Sequence, residues 1–211
     1  LKDLGGYPEA IIGTLLGTRG AGAILGFFLA GRLSRFDPRV GMTLGFSLQA
    51  FSGVHMMTFD MNVGIADVMV ASFMQGISVG LIWVPLVVAT FATLERRNLA
   101  ETTAVFHLLR NVGSSIFISI SVTMVIRTGT SNYARMTEFV SPFNEILNFP
   151  QYLNVWDTET TTGLARIAEE VSNQADMIGF LNAFELYTVA SVIVLPLIWM
   201  VRMPKRTDGD E

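Results

Sequence analysis

Apolar residues run almost uninterrupted through five stretches of this chain, over about residues 8–33, 40–59, 65–93, 102–126 and 177–201. A hydrocarbon core of about 30 Å is crossed by about 20 mostly apolar residues in a helix. Five such stretches in one chain of 211 residues leave too little polar sequence to clothe a soluble fold. The pattern therefore predicts an all-α, polytopic transmembrane helix bundle. Three regions follow: residues 1–128 with four spans, an extracytoplasmic segment over 129–176, and residues 177–211 with the last span and a cytoplasmic tail. In the outer segment, Ser141-Pro142-Phe143-Asn144 and Phe149-Pro150 read as turn or extended chain. Over about 160–176 the period changes. Leu164, Ile167, Ala168 and Val171 share one face, with Arg166, Glu169, Glu170 and Asn173 elsewhere. This predicts a short amphipathic helix, at the outer interface or docked on the bundle.

Composition agrees with the pattern. Hydrophobic residues are 51% of the chain and charged residues 15%, against about 25% charged in a typical soluble domain. The net charge of −4 matters less than where the charges lie. Arg32, Arg35 and Arg39 fall in the first connection, Arg96 and Arg97 in the third, and Arg202, Lys205 and Arg206 after the last span. All three segments share one side if each stretch crosses once, and short loops rich in Lys and Arg face the cytoplasm. The C-terminus is expected there. The absence of cysteine excludes disulfides and thiolate metal sites. The chain opens on Leu1 with no charged leader, so it is expected to be the C-terminal part of a longer protein.

Inside the spans, a few polar residues stand out. Arg19 and Arg110 each lie about ten residues inside a span, near the bilayer midplane, where a charge costs about 2.5–3.5 kcal/mol on insertion scales. Both are expected to face the bundle interior or a water-filled cavity. Arg110 belongs to a stripe of His107, Asn111, Ser114 and Ser121 recurring at helical spacing. Gln75 follows Ser72 in the third span, and Asn182 and Glu185 stand in the outer third of the last. A carboxyl such as Glu185 in an apolar setting gains a raised pKa and becomes a candidate proton carrier; an interfacial carboxylate facing water is the plainer reading. His55 and His107 lie on different spans without a partner at i+4, so no metal site is expected. Gly13 and Gly17, and Gly22 and Gly26, are spaced four apart, which lets helix backbones approach closely. Pro85 and Pro196 are potential kinks.

Several activities lack their motifs. The sequence has no phosphate loop, nucleophile elbow, HExxH or dinucleotide fingerprint, and no cofactor is expected. It contains no potassium-type selectivity filter. An enzyme is therefore not expected.

Three motifs carry a family resemblance, and the Asn182-Ala183-Phe184-Glu185 entry to the last span also fits it. Gly17-Thr18-Arg19-Gly20 with the run from Gly26 to Arg39, then Gln75-Gly76 through Trp83-Val84-Pro85-Leu86, then Phe106-His107-Leu108-Leu109-Arg110-Asn111-Val112-Gly113-Ser114-Ser115, resemble the C-terminal half of EmrB/QacA-type transporters. These are fourteen-span drug:proton antiporters of the major facilitator superfamily. The resemblance covers essentially the whole chain and makes its spans the last five of fourteen. Thr18 stands where many relatives have proline. The resemblance implies two pseudo-symmetric bundles rocking about a central cavity, and export of amphiphilic toxic compounds against inward proton flow. It implies a bacterial inner-membrane location and the N-terminal half of the transporter as an obligatory partner. It also implies, for some members, a periplasmic adaptor and an outer-membrane channel. Arg19, Gln75, His107, Arg110, Asn111 and Glu185 become candidates for the transport pathway or its coupling. Gly31, Arg32, Arg35, Asp37 and Arg39 resemble the weaker C-terminal copy of the cytoplasmic gating motif. A narrow-substrate exporter of the same superfamily and a non-transporting membrane scaffold stay open as alternatives.

Overall fold

The computed structural model describes residues 8–33, 37–91, 99–141, 156 and 160–200. All regular structure among them is helical: α1 (Glu9–Leu33), α2 (Pro38–Met57), α3 (Ile65–Phe91), α4 (Leu99–Thr137) and α5 (Thr161–Met200). Local chemistry fixes several of the ends. Asp37 is extended and its Oδ1 accepts the Arg39 backbone N–H at 2.8 Å, while Pro38 takes the first helical position of α2. Between α2 and α3, Asp60 Oδ1 accepts the Asn62 N–H at 2.8 Å and closes a tight turn. Thr160 Oγ1 accepts the Gly163 N–H at 3.2 Å and starts α5.

α1, α3, α4 and α5 are each long and apolar enough to cross a membrane, which makes this a multi-pass membrane protein. α2 spans 20 residues and is the exception. Gln49 and His55 lower its hydropathy, and it is sandwiched between α3 and α5. Ser52 on this helix is fully buried and donates to the Ala71 carbonyl at 3.1 Å.

In space the neighbours run α1–α3–α2–α5–α4. α1 and α3 lie parallel with backbones nearly touching. A Cβ at Gly22 would strike the Phe73 carbonyl, one at Gly76 the Arg19 carbonyl, and one at Gly80 the backbone of Gly26 and Phe27. The other glycine pair does not share this role, because no described atom lies within 4 Å of a Cβ placed at Gly13 or Gly17. α2 packs antiparallel on α3, with Gly41 against the ring of Pro85, which is fully buried. α3 and α5 run through Pro85 and Pro196 without ending.

α4 and α5 form an antiparallel pair. Gly129 meets Ala175 and Asp176, Gly179 meets the Val125 backbone, and Asn182 Nδ2 donates to Thr128 Oγ1 at 3.5 Å. These helices run 39 and 40 residues, about 58 and 60 Å at 1.5 Å per residue, or about twice the hydrocarbon thickness. The span expected over 102–126 continues without a break to Thr137, and the amphipathic stretch over 160–176 forms the first turns of α5 rather than a separate surface helix. Of its apolar face only Ile167 is buried, at 4% exposed, with Ala175 further along at 1%; Leu164 and Ala168 stay exposed. No glycine or proline interrupts 164–178, so the chain has no reason to leave the helix where the lipid ends.

Candidate functional site

The residues singled out in the sequence separate into two groups. The first joins α3 to α4. Arg110 Cζ lies 4.7 Å from the centroid of the Trp83 ring, a cation–π stack. Phe106, one turn before Arg110, packs on Trp83 at 6.2 Å, on Phe91 at 5.7 Å and against His107 at 5.6 Å between ring centroids. The pairs Trp83–Arg110 and Phe91–Phe106 run in opposite directions along the two helices, so α3 and α4 are antiparallel here. Arg110 and His107 are exposed within this chain. Among the described residues the stack is the contact made by the Arg110 guanidinium, with no carboxylate paired to it.

The second group is drawn from α1, α3, α2 and α5. Arg19 is exposed on α1, and the Tyr187 ring on α5 packs against Gly53 of α2. Gln75 Nε2 donates to Met56 Sδ at 3.0 Å. Thr188 Oγ1 donates to the Phe184 carbonyl at 2.8 Å and touches Met57 Sδ at 4.0 Å. Both methionine sulfurs thus face polar donors. His55 stands edge-on to Phe59 at 5.4 Å, and its buried Nε2 has no hydrogen-bond partner.

Asn111 and Glu185 join neither group. Both are exposed, and no side-chain partner meets them among the described residues. In the expected gating loop, no described atom lies within 4 Å of a Cβ placed at Gly31, and Arg32 is exposed in the last turn of α1. Asp37 caps α2 through the Arg39 backbone. Arg35 lies outside the described residues. Among the described residues, no group of three His, Cys, Asp or Glu is placed to hold a metal.

Trp83, Phe91, Phe106, Tyr187 and Met56 complete these groups, and the sequence reading did not assign them. The Phe106–Arg110 spacing of one turn was available as a signal, because it puts a ring and a cation on one face. Which ring on another helix meets that face is a matter of packing.

These features define a class: a multi-pass, all-helical membrane protein with an arginine, Arg110, set against the Trp83 ring. No family model matches the chain and no solved structure matches it. Curated relatives are more specific. The chain is 24% identical over 172 residues to the multidrug export protein EmrB of Haemophilus influenzae, covering 81% of this chain and 34% of that protein. It is 23% identical over 209 residues to the fatty acid resistance protein FarB of Neisseria gonorrhoeae, covering 97% of this chain and 41% of that one. It is 22% identical over 212 residues to the probable multidrug resistance protein EmrY of Escherichia coli K12, covering 99% and 41%. The chain is thus a homologue of the EmrB, EmrY and FarB proteins and spans well under half the length of each.

Proposed function

We propose that this chain is the C-terminal portion of a proton-driven exporter of toxic amphiphilic compounds that works by alternating access. The observation that carries the reading is the set of export and resistance relatives matching nearly the whole chain. The exposed lipid-depth Arg110 on α4 supports it, because such a charge calls for a cavity or a partner in the complete protein. In this reading the five helices belong to the C-terminal bundle of a major facilitator fold in the bacterial inner membrane, with the C-terminus in the cytoplasm. The N-terminal half supplies the facing wall of the cavity. Arg19, Gln75, His107, Arg110 and Asn111 line or couple the pathway, and Glu185 carries protons. Gly31, Arg32, Arg35, Asp37 and Arg39 act at the cytoplasmic gate. An adaptor and an outer-membrane channel are partners on the outer side, where α4 and α5 extend past the bilayer. No enzymatic step is part of the proposal.

A narrower substrate is the second reading. It is favoured by the match to a protein named for fatty acid resistance over 97% of this chain.

The test is dye efflux from cells carrying the full-length gene, with and without an uncoupler, for wild type, Arg110→Ala and Glu185→Gln at equal membrane expression. The expected outcome is uncoupler-sensitive efflux that falls at least about tenfold in either variant, the size of effect that follows loss of a coupling charge. Wild-type cells that extrude none of several cationic and neutral dyes would count against broad export and favour the second reading.

A further inference from the structure

We propose that the Arg110 guanidinium, stacked on Trp83, is a binding site for the anionic headgroup of an amphiphile, and that it selects anionic over cationic compounds. The geometry leaves the guanidinium half used. The Trp83 ring lies 4.7 Å from its Cζ, and no hydrogen bond among the described residues occupies its five N–H donors. That planar fork matches a carboxylate in bidentate fashion. No acidic side chain among the described residues occupies it. The charge lies deep in a span, where an uncompensated cation is costly and an arriving anion offsets that cost. A cationic amphiphile gains nothing from the same charge, since Coulomb repulsion is weakly screened at this depth.

The surroundings suit the rest of such a ligand. Trp83, Phe106 and Phe91 form a continuous aromatic surface, with centroid separations of 6.2 and 5.7 Å. This surface leads away from Arg110 along α3 and gives an alkyl or aryl tail an apolar bed. The proposal deepens the export reading and rests on it for its biological meaning. Its test measures binding alone, so the two fail separately: efflux without anion binding overturns only this inference.

The experiment uses purified full-length protein in phosphatidylcholine nanodiscs, with 9,10-dibromostearate and its methyl ester as quenchers of tryptophan fluorescence. The Trp83 contribution is the difference between wild type and Trp83→Phe. The carboxylate is expected to quench Trp83 saturably and the ester at least about tenfold more weakly, as loss of a charge-assisted pair predicts. Dodecanoate is expected to compete and dodecyltrimethylammonium not to. Arg110→Gln is expected to weaken the carboxylate by about ten- to hundredfold and Arg110→Lys by less, since it keeps the charge without the fork. Equal quenching by acid and ester, competition by the cation as strong as by dodecanoate, or unchanged affinity in Arg110→Gln would overturn the proposal. The acid–ester comparison needs no variant at Arg110 and decides the matter even if Arg110→Gln does not fold.

Discussion

At Arg110, a charged side chain joins α4 to α3 beside the ring contacts of Phe106. Its stack on Trp83 joins α3 to α4, and a cation–π contact is worth about 0.5–1 kcal/mol when exposed and about 2 when desolvated. A double-mutant cycle isolates that contact. Trp83→Leu and Arg110→Gln, alone and together in the full-length protein, are expected to show a coupling energy of about 1 kcal/mol in detergent unfolding. Additive losses would mean that the two side chains act independently. The cation itself was legible in the sequence, because a charge about ten residues inside an apolar stretch is conspicuous against its neighbours. Its aromatic partner was not. Trp83 sits on another helix, and an apolar span gives no periodic sign of which face meets which neighbour. Asp37 shows the converse: a residue resembling part of a gating motif has a local structural role as the cap of α2.

At the scale of elements, glycine sorts the contacts. Gly76 and Gly80 let α3 lie directly on the α1 backbone, while Gly13 and Gly17 of α1 meet no described atom within 4 Å. Gly76→Ala and Gly80→Ala are each expected to destabilise the protein by about 1–3 kcal/mol, because the blocking atoms are backbone and cannot rotate away. Gly13→Ala and Gly17→Ala are expected to stay within about 0.5 kcal/mol. Thermal unfolding of the four variants in one detergent checks this, and equal losses at all four sites would contradict the packing. Spacing alone cannot make the distinction, since both pairs repeat every four residues. The helix ends were hidden for a different reason. Hydropathy marks where a helix leaves lipid, whereas α4 and α5 stay helical in the polar sequence beyond it, held by their own pairing at Gly129, Ala175 and Gly179.

For the whole molecule, α4 is the informative helix because so little covers it. Of its 39 residues, Gly129 is the buried one among those described. Leu108 and Val112 are 63% and 48% exposed, as lipid-facing residues would be. Yet His107, Arg110 and Ser114 are exposed as well, on a face turned well away from Leu108 and Val112. Lipid satisfies the first face and not the second: a midplane charge toward hydrocarbon costs about 2.5–3.5 kcal/mol even on the mildest scale. In the complete protein the two faces must therefore meet different media, and the polar one must look onto water or protein. The absence of cysteine from these 211 residues makes that separation measurable. A thiol reacts with a methanethiosulfonate reagent as the thiolate, which forms only where water reaches it. In full-length protein in native membranes, Ser114→Cys and Asn111→Cys are expected to label with a charged reagent, and Leu108→Cys and Val112→Cys to resist it. Addition of an exported compound is expected to protect the first pair and leave the second unchanged. Labelling that is equal around the helix would remove the water-lined pathway from this face, and with it the reason for placing transport at Arg110.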